Sequence, residues 1–161
     1  AGSVALKSGQ AFKFHFALAQ DGYLYIVGPG QGSRPTAFLT AKPATISGLT
    51  DNRVAKNGDF SFPEGLEHWL ELDKKPGTEN YTIIFSQTPL ATPAFLTSEA
   101  TGEPLSDSES AEFEQLVAQY AASPADTELN DKDSSAPYVA IKVPASNDNK
   151  PVIFNVRIKH Q

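Results

Sequence analysis

Glu64, Glu67, Glu71 and Asp73 crowd around Trp69, the residue types from which glycosidases build paired carboxylates beside an aromatic platform. On a strand, Glu67, Trp69, Glu71 and Asp73 share one face and Leu70 and Leu72 the other, because successive side chains alternate. That is equally the pattern of a solvated outer face over an apolar inner one, and we prefer it. A hydrolase with a carboxylate site near Glu67 and Glu71 stands as the alternative.

Other chemistries lack their parts. The chain has no Cys, which removes thiol nucleophiles and thiolate metal sites. His15, His68 and His160 are too widely spaced for a local metal motif, so no metal site and no cofactor is expected. No Gly-x-Ser-x-Gly elbow presents a serine, and His-Arg-Asp, Asp-Phe-Gly and Val-Ala-Ile-Lys are absent, leaving neither a hydrolase nucleophile nor a kinase site in view. The glycines at 28, 30 and 32 follow a strand as a phosphate cradle would, but Pro29 and Pro35 remove amide donors such a cradle needs. Asp126, Asn130, Asp131 and Asp133, and Asn147, Asp148 and Asn149, offer oxygen ligands without the spacing of a calcium loop, so solvated turns are expected there.

The remaining candidates are aromatic. Tyr23, Tyr25, Trp69 and Tyr81 are the ligand-binding residues the sequence nominates, since aromatics combine contact area with a polar handle. Two arrangements stay open: an exposed Tyr23/Tyr25 face that holds a peptide or a neighbouring domain, or packing beneath a helix.

The elements that position these residues are mostly strands. Eleven Gly and twelve Pro in 161 residues favour turns over long helices, and the length suffices for one hydrophobic core. Phe12, Phe14, Phe16 and Leu18 alternate with polar or small residues, a strand with one buried face. Gln20-Asp21-Gly22 reads as a hairpin turn into Tyr23–Val27, a central strand apolar on both faces. Short strands are expected at 36–40, irregularly through 41–58, at 59–62 and around 68–73, and Tyr81, Ile83 and Phe85 share a face of another. Ser106 and Glu109 form a capping box, after which Phe113, Leu116, Val117 and Tyr120 make one apolar stripe, predicting a helix over about 107–122. Residues 126–136 read as a polar, mobile connection. Tyr138–Val143 and Val152–Lys159 read as a closing hairpin around Ser146–Asn149.

The fold class expected is therefore mainly β, an antiparallel β-sandwich-like domain with one packed amphipathic helix, with α+β as the alternative. The lack of Met and the opening Ala1-Gly2-Ser3 suggest a fragment of a longer protein, with residues 1–8 a tag scar or linker and 9–161 one β-rich domain. A net charge of −6 with scattered Lys and Arg speaks against nucleic acid. No apolar run reaches 18 residues and no signal-peptide pattern opens the chain, so no membrane insertion by this fragment is expected.

Asp21-Gly22-Tyr23-Leu24-Tyr25-Ile26-Val27, a polar middle, and Lys75-Pro76-Gly77-Thr78-Glu79 leading into Ile83-Ile84-Phe85-Ser86 resemble the bacterial family known as domain of unknown function 4384. The resemblance spans roughly Gly9 to Leu90, with an echo at Val156–His160. It implies a β-rich accessory domain that stands beside Ser/Thr kinases, caspase-like peptidases or in cell-envelope proteins, and it carries no catalytic residues. The expected function is thus a non-catalytic recognition or regulatory module of a larger bacterial signalling or envelope protein. Its expected partner is a protein, a peptide or an adjacent domain of the same chain, in an extracytoplasmic setting by preference and a cytoplasmic one otherwise. A purely structural spacer is the other alternative.

Overall fold

The computed structural model describes residues 2–29, 34–64, 69–120, 122–133, 135–145 and 150–161. In chain order its elements are β1 (Ser3–Leu6), β2 (Ala11–Leu18), β3 (Gly22–Gly28), β4 (Thr36–Leu39), β5 (Arg53–Val54), β6 (Asp59–Phe62), β7 (Leu70–Glu71) and β8 (Gly77–Ser86), then α1 (Asp107–Tyr120), β9 (Ser123–Pro124), β10 (Asp126–Asn130), β11 (Tyr138–Val143) and β12 (Val152–His160). Short 3-10 turns lie at Thr45–Ser47 and Ala94–Thr97.

Two mixed sheets stack face to face. One runs β1-β12-β8-β3-β4 with β5 and β9 at its margins, and the other runs β10-β11-β2-β6 with β7 beside β2. Between them lies the main core, where Phe12, Phe14, Phe16 and Leu18 of β2 meet Leu24 and Ile26 of β3 and Ile83 and Phe85 of β8. Each such side chain contributes about 1.5–3 kcal/mol of burial, which holds the period-two register of β2 as expected.

The two turns read as hairpins join different sheets instead. β2 pairs with β6, β7 and β11, whereas β3 pairs with β4, β5 and β8. β11 pairs with β2 and β10, whereas β12 pairs with β8, β1 and β9. Both connections are arches. The physical reason is that two consecutive strands with apolar faces bury those faces equally well side by side or opposite one another, and alternation alone does not choose. Here Phe16 and Leu18 point at the core from one sheet and Leu24 and Ile26 from the other. Asp21 secures the first arch by accepting the Lys56 amide at 2.7 Å.

β3 is apolar on both faces because both are covered. Tyr25 and Val27 look outward into a second core with Ile84, Phe95, Leu96 and Leu116, against which Phe113 and Tyr120 of α1 pack. The helix begins at the expected capping box: Ser106 Oγ accepts the Glu109 amide at 3.2 Å and Glu109 Oε1 accepts the Ser106 amide at 2.9 Å, satisfying two donors that helix starts otherwise leave orphaned.

Two further expectations are corrected. The stretch expected to be a tag scar or linker holds a strand of the domain: β1 runs parallel to β12, pairing Ser3 to Leu6 with Arg157 to His160, and its Val4 and Leu6 pack on the core. Residues 126–136 are not a mobile connection throughout, since β10 pairs along its whole length with β11. Gly22 and Gly77 do not adopt positive φ. Gly22 is small because a Cβ there would meet the Ser86 carbonyl at 2.5 Å, while beside Gly77 there is open space.

Candidate functional site

The inner faces of β8 and β12 change character towards one end of the sandwich. Along β8 the inward positions run Phe85, Ile83, Tyr81, Glu79, and along antiparallel β12 they run Phe154, Val156, Ile158, His160. Period-two geometry forces Glu79 and His160 onto the same interior side as the apolar residues before them, so the core opens into a polar mouth.

His160 is fully buried there. Its Nδ1 hydrogen-bonds Ser8 Oγ at 2.8 Å and its Nε2 lies 3.2 Å from Glu79 Oε1. Asp73 completes the group: one ligand-capable atom from each of Asp73, Glu79 and His160 lies within 4.8 Å of the others. Backbone contacts pin the Asp73 turn, whose Oδ1 accepts the Lys75 amide at 3.0 Å and whose carbonyl accepts the Gly9 amide at 2.9 Å.

Above this group is a cleft of about 560 Å³ in which Glu71, Asp73, Glu79 and Glu103 converge with Tyr81 and Phe38, and no Lys or Arg is among the described residues lining it. Tyr81 forms its inner wall. Its ring packs on Phe14 at 5.1 Å and Phe38 at 5.8 Å, it is only 4% exposed, and its hydroxyl has no hydrogen-bond partner among the described residues. Burial, reinforced by the Glu79 carboxylate, pushes the phenol well above its ordinary pKa, because both disfavour a phenolate.

Beside the acidic cleft, and sharing Phe38 and Gly102 with it, lies an apolar groove of about 520 Å³ lined by Phe38, Ile46, Phe62, Trp69 and Leu70. Ile46 on its rim is 77% exposed, the one large hydrophobic side chain so exposed among the described residues. Trp69 forms the far wall, where the Lys13 ammonium sits 4.7 Å from its ring centroid in a cation–π contact. Burial lowers the Lys13 pKa, and nearby Glu64 opposes that effect. On the same outer surface His15 stacks on Tyr138 at 4.0 Å.

The four aromatics nominated from sequence do not form one face. Tyr25 is fully buried under the outer layer and Tyr23 is partly buried beside it. Of the two arrangements left open for this pair, the structure shows packing on the helix side. Tyr81 faces the acidic cleft, and Trp69 the apolar groove. Of the carboxylate pair, Glu71 lines the acidic cleft, and Glu67 lies outside the described residues, as do His68, Gly30, Gly32 and the 147–149 turn. Gly28 is a packing glycine, since a Cβ there would reach within 2.5 Å of the Tyr81 ring. Asp133 is engaged by Ser135, whose hydroxyl and amide hydrogen bonds hold its carboxyl below the usual range.

Ser8, His160 and Glu79 also have the order of a serine–histidine–acid relay. The surroundings of Ser8 do not complete one. The amides of Ser8, Gly9 and Gln10 donate to the carbonyls of Gln161, Asp73 and Lys7, so none is aimed at a position where an oxyanion would develop. What the chain of contacts does is tie the ends of β1, β8 and β12 together.

A family model described as Domain of unknown function (DUF4384) matches residues 5–89, just over half of the chain. The chain belongs to that family. The DUF4384 span runs from β1 through β8 and contains Phe38, Ile46, Trp69, Glu71, Asp73, Glu79 and Tyr81, while α1, β9–β12, Glu103 and His160 lie beyond it. The span therefore holds both walls of the groove but only part of the acidic mouth. No curated protein and no solved structure matches the chain.

Sequence reasoning missed the pairing of Asp73 and Glu79 with His160, and the placement of Ile46. One signal was available for the first. Glu79 and His160 each continue an apolar period-two run by one position, and a polar residue in an inward phase marks where a core meets solvent.

Proposed function

We propose that this DUF4384 domain is a non-catalytic recognition module, an appendage of a larger bacterial signalling or cell-envelope protein. In this reading the joined cleft binds a protein segment that presents an apolar side chain next to a basic one. The observation that carries it is the continuity of the two halves: an apolar groove rimmed by Ile46 and Trp69 runs through Phe38 into a cleft with four carboxylates and, among the described residues, no lining Lys or Arg. An apolar side chain gains by leaving water in the groove, and a neighbouring cation is drawn to the acidic half. The exposure of Ile46 favours this over a spacer that binds nothing, because it adds apolar surface where the groove is already apolar. No helix of the described residues is long and apolar enough to cross a membrane.

The test is a titration of the domain with short peptides in which Leu, Ile or Phe adjoins Lys or Arg, followed by fluorescence of the single Trp69. Saturable binding that Ile46→Asp abolishes without lowering the melting temperature is expected. Binding of equal strength to peptides with Glu in place of Lys, or turnover of a substrate at this cleft, would overturn the reading.

A further inference from the structure

We propose that Asp73, Glu79 and His160 form a binding site for a divalent transition-metal cation of the Zn²⁺ type, which goes beyond the recognition reading. The donor set is one imidazole nitrogen and two carboxylates whose ligand atoms lie within 4.8 Å of one another. Imidazole suits Zn²⁺ and its neighbours in the first row, whereas Ca²⁺ and Mg²⁺ prefer oxygen alone.

The distances fit. A tetrahedral zinc with bonds of about 2.0–2.1 Å has ligand atoms roughly 3.4 Å apart, and His160 Nε2 is already 3.2 Å from Glu79 Oε1. Ser8 Oγ, 2.8 Å from Nδ1, is placed to accept the Nδ1 proton and so leave the Nε2 lone pair facing Glu79, the outer contact that metal-ligating histidines keep. In that tautomer the neutral ring keeps its one proton on Nδ1, so metal binding at Nε2 requires no net proton loss.

Tyr81 stands on the wall of the same cleft, and its hydroxyl opens to that cleft, since among the described residues Ser110 Oγ is the buried side-chain atom without a partner. Three protein ligands leave a fourth position open to that cleft. Glu71 and Glu103 stay on its rim, keeping the mouth acidic when a dication is bound.

The test uses the tag-free 161-residue chain, stripped with chelator and titrated with ZnCl₂ by calorimetry and by NMR of the imidazole rings, with no peptide present. One equivalent of Zn²⁺ and a shift of the His160 ring signals are expected. Affinity falls at least tenfold in Asp73→Asn and in Glu79→Gln, and stays unchanged in His15→Gln. Asp73 is exposed, so its variant decides if Glu79→Gln fails to fold. Absence of saturable binding at submillimolar Zn²⁺, or full affinity in Asp73→Asn with the His160 signals unmoved, overturns the site. Either result leaves peptide recognition to be judged separately.

Discussion

The Tyr25 hydroxyl accepts a hydrogen bond from the Leu90 amide at 2.9 Å, fastening the connection after β8 to a fully buried ring in the middle of the larger sheet. This contact closes the outer layer that α1 completes, and it explains why Tyr25 occupies an interior position where Phe would otherwise serve. Tyr25→Phe strands the Leu90 amide. A loss of about 1–3 kcal/mol is expected, read as a melting temperature lower by roughly 2–4 °C per kcal/mol.

Gly28 and Gly77 separate two reasons for glycine. A Cβ at Gly28 would sit 2.5 Å from the Tyr81 ring and 2.8 Å from Phe38, whereas at Gly77 it would touch nothing. Gly28→Ala is expected to cost about 1–3 kcal/mol by overpacking, and Gly77→Ala to stay within about 0.5 kcal/mol of wild type. Urea midpoints of the two variants measure the difference.

The capping box at the start of α1 gives a graded outcome. Ser106→Ala removes the acceptor for the Glu109 amide and is expected to cost about 1 kcal/mol, without unfolding the sandwich, whose main core lies between the two sheets. Amide hydrogen exchange then rises in residues 107–113 and not in β8.

Tyr81 makes stability depend on alkaline pH. Its folded pKa is raised above its unfolded value by burial first and by Glu79 second. The contribution is therefore complete below about pH 10, the ordinary tyrosine pKa, and is lost as pH rises past it towards the folded value, because the unfolded state releases the proton first. Urea midpoints between pH 8 and 11.5 are expected to fall less steeply in Tyr81→Phe than in wild type. At pH 7 the same variant loses no protein hydrogen bond and keeps its fold; an equal alkaline slope in both proteins would count against the assignment.

Much of the fold is written in the order of side chains. The alternation in β2, β3, β8 and β12 announces strands and their buried faces, Ser106 and Glu109 announce where α1 begins, and the two apolar faces of β3 announce cover on both sides. These features are legible because each depends on neighbours one to four residues apart. Which strand lies beside which is not of that kind. Phe16 and Leu24 would be buried equally by a hairpin or by an arch, and only the competition among all strands for partners places them in opposite sheets. The acidic mouth has the same origin. Asp73, Glu79 and His160 meet because antiparallel pairing sets Gly77 opposite His160 and because β1 holds the end of β12 in place. Local sequence supplied the chemical groups and the phase in which each points, while long-range strand pairing, driven by burial of the whole core, decided that they share one cleft.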